Sequence, residues 1–170
     1  MKFIKYLFLG LFSVVLMNCG GNDKKKEKEG FTYEKKTDDT KEVEANPNDV
    51  VITGDDMMRF NKSEIKVKAG KKVKLTLRHI GKLDKQVMGH NWVLLKPGVD
   101  LMGFSAKAVT FKDNDYIPDG TEDVIAHTKL IGGGETAVVE FDAPAPGTYE
   151  FLCSFPGHAA MMRGTFVVEE

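Results

Sequence analysis

The densest group of metal-binding side chains in the sequence is the segment CSFPGHAAMM at 153–162. It contains a thiol, an imidazole and two thioethers within ten residues. Thiolate and thioether are soft ligands and imidazole is intermediate, so this combination favours copper over cations that prefer oxygen. Cys153, His158 and Met162 are therefore predicted metal ligands. Met161 is the alternative thioether, but the spacing favours Met162 and assigns Met161 to the surface or to packing.

A second half of the site is predicted at MGHNW, 88–92, where His90 begins an apolar run that is typical of a strand. Two histidines and one cysteine form a trigonal ligand set, and with a weak axial methionine this set gives blue copper its electron-transfer character. Cu(I) and Cu(II) prefer different geometries, so a compromise site fixed by the fold changes little when the electron moves. We therefore predict one copper ion that cycles between Cu(I) and Cu(II).

The elements that must hold these ligands have the pattern of strands and turns. Apolar and polar residues alternate, or β-branched residues cluster, in five segments: 65–67, 73–77, 136–141, 148–153 and 164–168. The alternation of Tyr149, Phe151 and Cys153 predicts that Cys153 points inward. Between Pro97 and Pro118 the alternation lapses, which predicts a short helical insertion. The predicted fold is all-β, an antiparallel sandwich, with Trp92 in its core.

The N-terminal residues have the pattern of an exported lipoprotein. Residues 1–18 combine a basic start with a short apolar run and are predicted to be a signal peptide. A permanent membrane anchor is the alternative, but the run is shorter than the ~20 residues that a spanning helix needs. LMNC at 16–19 resembles a bacterial lipobox, so Cys19 is the predicted lipidation site. A secreted protein without lipid is the alternative.

Composition supports this division and excludes one class of partner. Residues 19–47 are rich in charge and poor in large apolar side chains, which predicts a flexible tether before a folded domain at 48–170. The balance of 24 basic and 25 acidic residues gives no field that would attract nucleic acid. An exported pair of cysteines ordinarily suggests a disulfide. Here lipid would account for Cys19 and a metal for Cys153.

Four segments carry a resemblance to a known family: GDDMMRFN at 54–61, GHNWVL at 89–94, IAHTKLIG at 125–132 and CSFPGHAAMM at 153–162. Together they resemble the azurins of the cupredoxin family, over residues 48–170. The resemblance implies a cupredoxin-like Greek-key sandwich with a type 1 copper site. In that site His90, Cys153 and His158 would be the equatorial ligands and Met162 the axial one. The carbonyl of Gly89 would lie opposite, and Asn91 would steady the ligand loops.

The resemblance also implies how the protein meets its partners. Apolar side chains would form a docking patch around an exposed edge of His158, through which the electron passes. Its main members would be Met58, Met88, Phe155, Pro156 and Met161, and Leu83, Val87 and Ala159 would belong to it as well. The expected partners are redox proteins such as cytochromes or oxidoreductases, met transiently by a monomer. The expected location is the periplasmic side of a bacterial membrane, with lipid at Cys19 as the anchor.

Two other functions compete with electron transfer. A copper-buffering or copper-delivery protein would bind the same metal, but delivery favours exposed ligands that exchange readily. A copper enzyme would need a second site with open coordination, and His79 and His127 are too few to build one. We interpret His79 as a satisfied core histidine, with a role in pH response as the alternative, and His127 as a surface or packing residue. The protein is therefore predicted not to be an enzyme.

Overall fold

The structure is a computed structural model that describes residues 46–170, which form two β-sheets around a shared apolar core. The strands are β1 (Asp49–Gly54), β2 (Glu64–Lys68), β3 (Lys72–His79), β4 (Val93–Leu95), β5 (Val124–His127), β6 (Thr136–Asp142), β7 (Gly147–Leu152) and β8 (Arg163–Glu169). One sheet has three strands in the order β1-β3-β6, and the other has five in the order β2-β8-β7-β4-β5. The predicted Greek-key sandwich is confirmed.

The core follows from the alternation seen in the sequence. In β3 the side chains of Val73, Leu75 and Leu77 are fully buried, while the residues between them are exposed or half-buried. Trp92 is also fully buried and lies in the same cluster, which confirms its predicted place in the core. A separate apolar cluster packs around Phe104 and Met162, beneath the loop that carries the predicted ligands.

Two helices lie between the strands. Helix α2 (Leu101–Ala108) begins after Asp100, whose side chain accepts a hydrogen bond from the backbone N–H of Met102. It is the predicted helical insertion. Helix α1 (Lys85–Met88) is a single turn that the sequence did not predict, capped in the same way by Asp84. It places the chain immediately before Gly89 and His90.

The strand directions differ in part from the prediction of an antiparallel sandwich. The pairs β1–β3 and β2–β8 are parallel, whereas β3–β6, β4–β5, β4–β7 and β7–β8 are antiparallel. Between β1 and β3 the chain crosses to the other sheet to form β2, so β3 can return in the direction of β1. Alternation reports which side chains are buried but not which way a strand runs, and this is why the prediction was wrong for these pairs.

The predicted ligand loop and the point where the chain enters the domain lie at opposite ends of the sandwich. At one end Leu152 of β7 pairs with Arg163 of β8, and the loop 153–162 joins them. We call this the ligand end. At the opposite end Gly147 pairs with Val168, and Asn48 exchanges hydrogen bonds of 2.9 Å with the backbone of Lys68. The chain enters the domain there, so we call it the entry end.

The predictions for the N-terminal part of the chain fall outside the described residues. These are the signal peptide at 1–18, the lipidation of Cys19 and all but the last two residues of the tether at 19–47. They remain predictions. Within residues 46–170, no helix has the length and apolar character needed to cross a membrane.

Candidate metal centre

Three predicted ligands come together at the ligand end. His90, Cys153 and His158 are buried, and one possible ligand atom of each lies within 4.8 Å of those of the others. His90 is fixed by backbone hydrogen bonds of 2.9 Å in both directions with Ile131. Cys153 directly follows β7, and its Sγ lies 3.6 Å from Nδ1 of His158 and 3.9 Å from the carbonyl oxygen of Gly89. The inward orientation predicted for Cys153 is confirmed.

The loop 153–162 folds back on itself, so that its two ends meet. The N–H of Cys153 donates to the carbonyl of Met162 at 2.8 Å, and the N–H of Met162 donates to the carbonyl of His158 at 2.8 Å. The reversal is completed at Gly157, whose φ of 82° favours glycine. Met162 is fully buried, whereas Met161 is 58% exposed. The burial of Met162 agrees with its choice over Met161 as the thioether in the site.

One atom shows that the buried set fits a metal ion. Nε2 of His90 donates a hydrogen bond to the carbonyl of Asp55 at 2.9 Å, which leaves Nδ1 with a lone pair. That Nδ1 is buried and has no hydrogen-bond partner. An unsatisfied buried polar atom costs about 1–3 kcal/mol, so native proteins rarely leave one without a reason. A soft cation at the group formed by His90, Cys153 and His158 would supply the missing partner.

Burial sets the protonation of the three side chains. It lowers the pKa of His90, and it lowers the pKa of His158 to about 4, with the neighbouring His90 and His79 adding smaller effects. Burial raises the pKa of the Cys153 thiol to about 12. At neutral pH both imidazoles are therefore neutral with free lone pairs, and the thiol keeps its proton. A cation must replace that proton, as is usual where metal binding is coupled to thiol ionisation.

Asn91 connects the two segments that carry the predicted ligands. Its Nδ2 donates to the carbonyl of Asp115 and to Oγ of Ser154, and its Oδ1 accepts from the N–H of Ser154, all at 2.8 Å. Because Asn91 follows His90 and Ser154 follows Cys153, these bonds hold the two ligands in register. Sequence reasoning did not single out Ser154, although its place next to Cys153 was a signal.

The remaining histidines do not belong to the ligand set. His79 stacks on His90 with ring centroids 4.2 Å apart, but its Nε2 donates to the carbonyl of Met88 and its Nδ1 accepts from the N–H of Gly81. It is thus a satisfied core histidine, as expected. His127 is exposed on β5, in agreement with its assignment to the surface.

The docking patch is less exposed than predicted. Met161 is exposed, while Met58, Met88 and Pro156 are half-buried. Phe155 is only 8% exposed, because its ring lies between Tyr116 at 5.2 Å and His158 at 4.6 Å. His158 itself is 2% exposed, so its expected exposed edge is a narrow one. The docking role of these five residues stays a prediction. Leu83 and Val87, also predicted for the patch, are exposed, as is the nearby Met57, whereas Ala159 is buried.

Gly54 is predicted to be essential for the orientation of His90. A Cβ at residue 54 would lie 2.6 Å from Cδ2 of His90, and that ring cannot retreat because it stacks on His79 and is bonded to Asp55. We expect Gly54→Ala to cost about 1–2 kcal/mol of unfolding free energy and to weaken copper binding about tenfold. Chemical denaturation and copper titration against a chelator measure the two effects.

Gly103→Ala is the matched control for that prediction. Its Cβ would also approach an atom at 2.6 Å, but the atom is the tip of the Asp100 side chain, which can move into solvent. We expect it to bind copper like the unchanged protein. Unchanged copper affinity in Gly54→Ala would contradict the proposed constraint on His90.

Comparison with known proteins agrees with this geometry. The family model described as copper binding proteins, plastocyanin/azurin family, matches residues 47–169. The chain belongs to the plastocyanin/azurin family. Curated relatives include an azurin of Bordetella pertussis, 46% identical over 121 residues that cover 68% of this chain and 80% of that protein. Azurin-1 of Alcaligenes xylosoxydans xylosoxydans is 48% identical over 120 residues, covering 68% and 92% of the two chains.

Solved structures give the same result. An azurin, Az-iso2, from Methylomonas sp. strain J superposes with a TM-score of 0.66 at 36% identity, covering 72% of this chain and 98% of that one. An auracyanin from Roseiflexus castenholzii gives the same TM-score and coverage at 30% identity. The azurin resemblance and the cupredoxin fold are thereby confirmed. For this member of the plastocyanin/azurin family the cofactor is copper, and the set that can hold one ion is His90, Cys153 and His158.

Proposed function

We propose that this protein is a one-electron carrier with a type 1 copper site. The observation that carries the proposal is the buried set of two neutral imidazoles and one thiol, in which Nδ1 of His90 lacks any other partner. In the proposed site His90, Cys153 and His158 are the close ligands. Met162 would be a weaker thioether ligand, and the carbonyl of Gly89 would add a weak contact. Bound copper supplies the couple between Cu(I) and Cu(II).

The contribution of the protein is to keep these side chains still when the electron moves. The ring of His90 is held by stacking on one face and by the Asp55 carbonyl at its edge. The position of Cys153 is fixed by the hydrogen bond between its N–H and the Met162 carbonyl, which closes the loop. Such restraint favours fast electron transfer because little of the site has to rearrange. No bond of a substrate is made or broken.

The proposed route to partners is the ligand end. His158 lies just beneath the surface there, beside Phe155, on the loop whose exposed large apolar side chain is Met161. A small apolar contact suits a carrier that must release its partner quickly. We propose redox proteins such as cytochromes or oxidoreductases as the transient partners of a monomer. The proposed place is the periplasmic side of a bacterial membrane, by lipidation of Cys19, or a secreted form without lipid.

An absorption spectrum of the protein with Cu(II), before and after a mild reductant, tests the proposal. An intense visible thiolate-to-copper band that bleaches reversibly is expected. A pale or absent band would overturn the type 1 assignment. Copper buffering is the second candidate, since it uses the same ligands. Transfer of copper to an acceptor within seconds would favour it, whereas the burial of the whole ligand set favours slow exchange.

Met162→Leu tests the axial role. Leucine has a similar volume, so the fully buried position should tolerate it at a cost below about 1.5 kcal/mol. The blue band should persist because the thiolate remains. The reduction potential should rise, because an apolar group replaces an electron-donating thioether and favours Cu(I). Cyclic voltammetry measures the shift, with Met161→Leu as the control. An equal potential in the two variants would contradict an axial role for Met162.

A further inference from the structure

Two consecutive residues beside the metal centre have left-handed backbone conformations. Asp115 has a φ of 51° and Tyr116 a φ of 59°. Asp115 follows the 3₁₀ turn Lys112–Asn114, and a left-handed residue is common where a helix ends. Tyr116 has no such reason, and for a bulky side chain this region is an outlier that costs free energy. Such strain persists only where the surroundings enforce it, and it clusters at functional sites.

The unusual conformation points two carbonyls at the side chains that adjoin the predicted copper ligands. The carbonyl of Asp115 accepts from Nδ2 of Asn91, and the carbonyl of Tyr116 accepts from Oγ of Ser154, both at 2.8 Å. In an extended strand successive residues face opposite sides, so two neighbouring carbonyls could not serve one cluster. The two left-handed residues bring both to the same side. Their hydrogen-bond donors are fully buried.

The segment is held in place by its own turn and by one contact with the ligand loop. The N–H of Tyr116 donates to the carbonyl of Phe111, and the N–H of Ile117 donates to the carbonyl of Asn114, both at 2.8 Å. The ring of Tyr116 is 7% exposed and packs edge-on against Phe155. These contacts hold the backbone in its left-handed conformation. That conformation turns the carbonyls of Asp115 and Tyr116 toward the interior.

We propose that Asp115 and Tyr116 are positioning residues for the copper ligands. Their paired carbonyls fix the side chains of Asn91 and Ser154. These two residues adjoin His90 and Cys153 in the chain, so the pair of carbonyls sets the spacing between the two ligand segments. The inference rests on the proposed type 1 site.

The test compares valine at two neighbouring aspartates. Valine strongly disfavours the left-handed region, so Asp115→Val should retract the two carbonyls. Asp113→Val removes the same charge and adds the same side chain, at an exposed residue outside the left-handed region. We expect Asp115→Val to weaken copper binding about tenfold and to shift the visible band and the reduction potential. Asp113→Val should match the unchanged protein.

Further variants separate conformation from charge and from folding. Glycine and asparagine both adopt the left-handed region readily, so Asp115→Gly and Asp115→Asn should keep the visible band and the reduction potential. Asp115→Gly should also not lower the thermal unfolding midpoint of the copper-free protein. If Asp115→Val does not fold, Asp115→Ala replaces it as the milder disfavoured residue. In the copper-free protein, the side-chain amide hydrogens of Asn91 should exchange faster in the disfavoured variants than in Asp115→Asn.

A double-mutant cycle with Ser154→Ala tests the route of the effect. If the carbonyls act through Ser154 and Asn91, the effects of Asp115→Val and Ser154→Ala on the potential should not add. Two results would overturn the positioning role, provided that the unchanged protein is blue. One is additive effects of Asp115→Val and Ser154→Ala on the potential. The other is the same visible band and reduction potential in Asp115→Val and Asp113→Val. An unchanged protein without a blue band would instead overturn the proposed function.

Discussion

Cys153→Ser is expected to abolish the visible thiolate-to-copper band and electron transfer completely. A serine hydroxyl does not ionise near neutral pH and offers a hard oxygen in place of a soft sulfur. The domain should stay folded, because serine is no larger than cysteine and the apolar core of the sandwich is unchanged. The neighbours of the thiol, at 3.6 and 3.9 Å, are too distant to bond a hydroxyl oxygen, so the buried hydroxyl should cost about 1–3 kcal/mol. Absorption measures the loss of colour and circular dichroism the retained fold.

The other cysteine of the chain provides the matched control. Cys19→Ser makes the same change at the proposed lipidation site, so it should leave the blue band intact and release the protein from the membrane fraction. Cys153→Ser should stay in the membrane fraction without colour. A blue Cys153→Ser protein would refute the thiolate ligand. A Cys19→Ser protein that still sediments with membranes would refute the lipid anchor, without bearing on the copper site.

Asn91→Leu should reduce both stability and copper affinity. Leucine would leave the N–H of Ser154 and the carbonyl of Asp115 without their buried partner. Each unsatisfied group costs about 1–3 kcal/mol, so we expect a loss of roughly 2–4 kcal/mol in the unfolding free energy of the copper-free protein. Copper affinity should fall by about 10–100-fold, as is typical for groups that orient metal ligands. Urea denaturation and chelator competition measure the two quantities.

Asn48→Leu is the control for that prediction. Asn48 is equally buried, and its side chain also bonds a distant backbone segment, that of Lys68, but it lies at the entry end. We expect it to lose stability to a similar degree while copper affinity stays unchanged. If Asn48→Leu weakened copper binding as much as Asn91→Leu, the effect at Asn91 would reflect general loosening of the fold.

Much of this fold could be predicted because burial leaves a local signature in the sequence. The alternation of β3 and β7 indicated their buried faces, and the same rule turned Cys153 inward. Strand direction left no such signature, so the parallel pairs β1–β3 and β2–β8 were missed. Phe155 resembled a surface residue next to Pro156 and Gly157. Only the tertiary fold places Tyr116 over it.

The ligand set could be predicted because its chemistry is concentrated in two short segments. Its supports could not, because they join residues that are far apart in the chain. Asn91 bonds Ser154, 63 residues away, and Ser154 bonds Tyr116, 38 residues away. The left-handed conformation of Tyr116 is contrary to its own preference and exists only because the surrounding contacts impose it. No rule based on neighbouring residues could have found it.

The entry end and the ligand end lie at opposite ends of the sandwich, and this separation determines where the protein can be attached to a support. A pull or a linkage applied to the chain before Asn46 acts at the end where Asn48 bonds Lys68, with the length of the sandwich between it and His158. The point of attachment and the predicted copper ligands then lie at opposite ends of the domain. A linkage through the chain before Asn46, to an electrode for example, would therefore occupy none of the surface around His158.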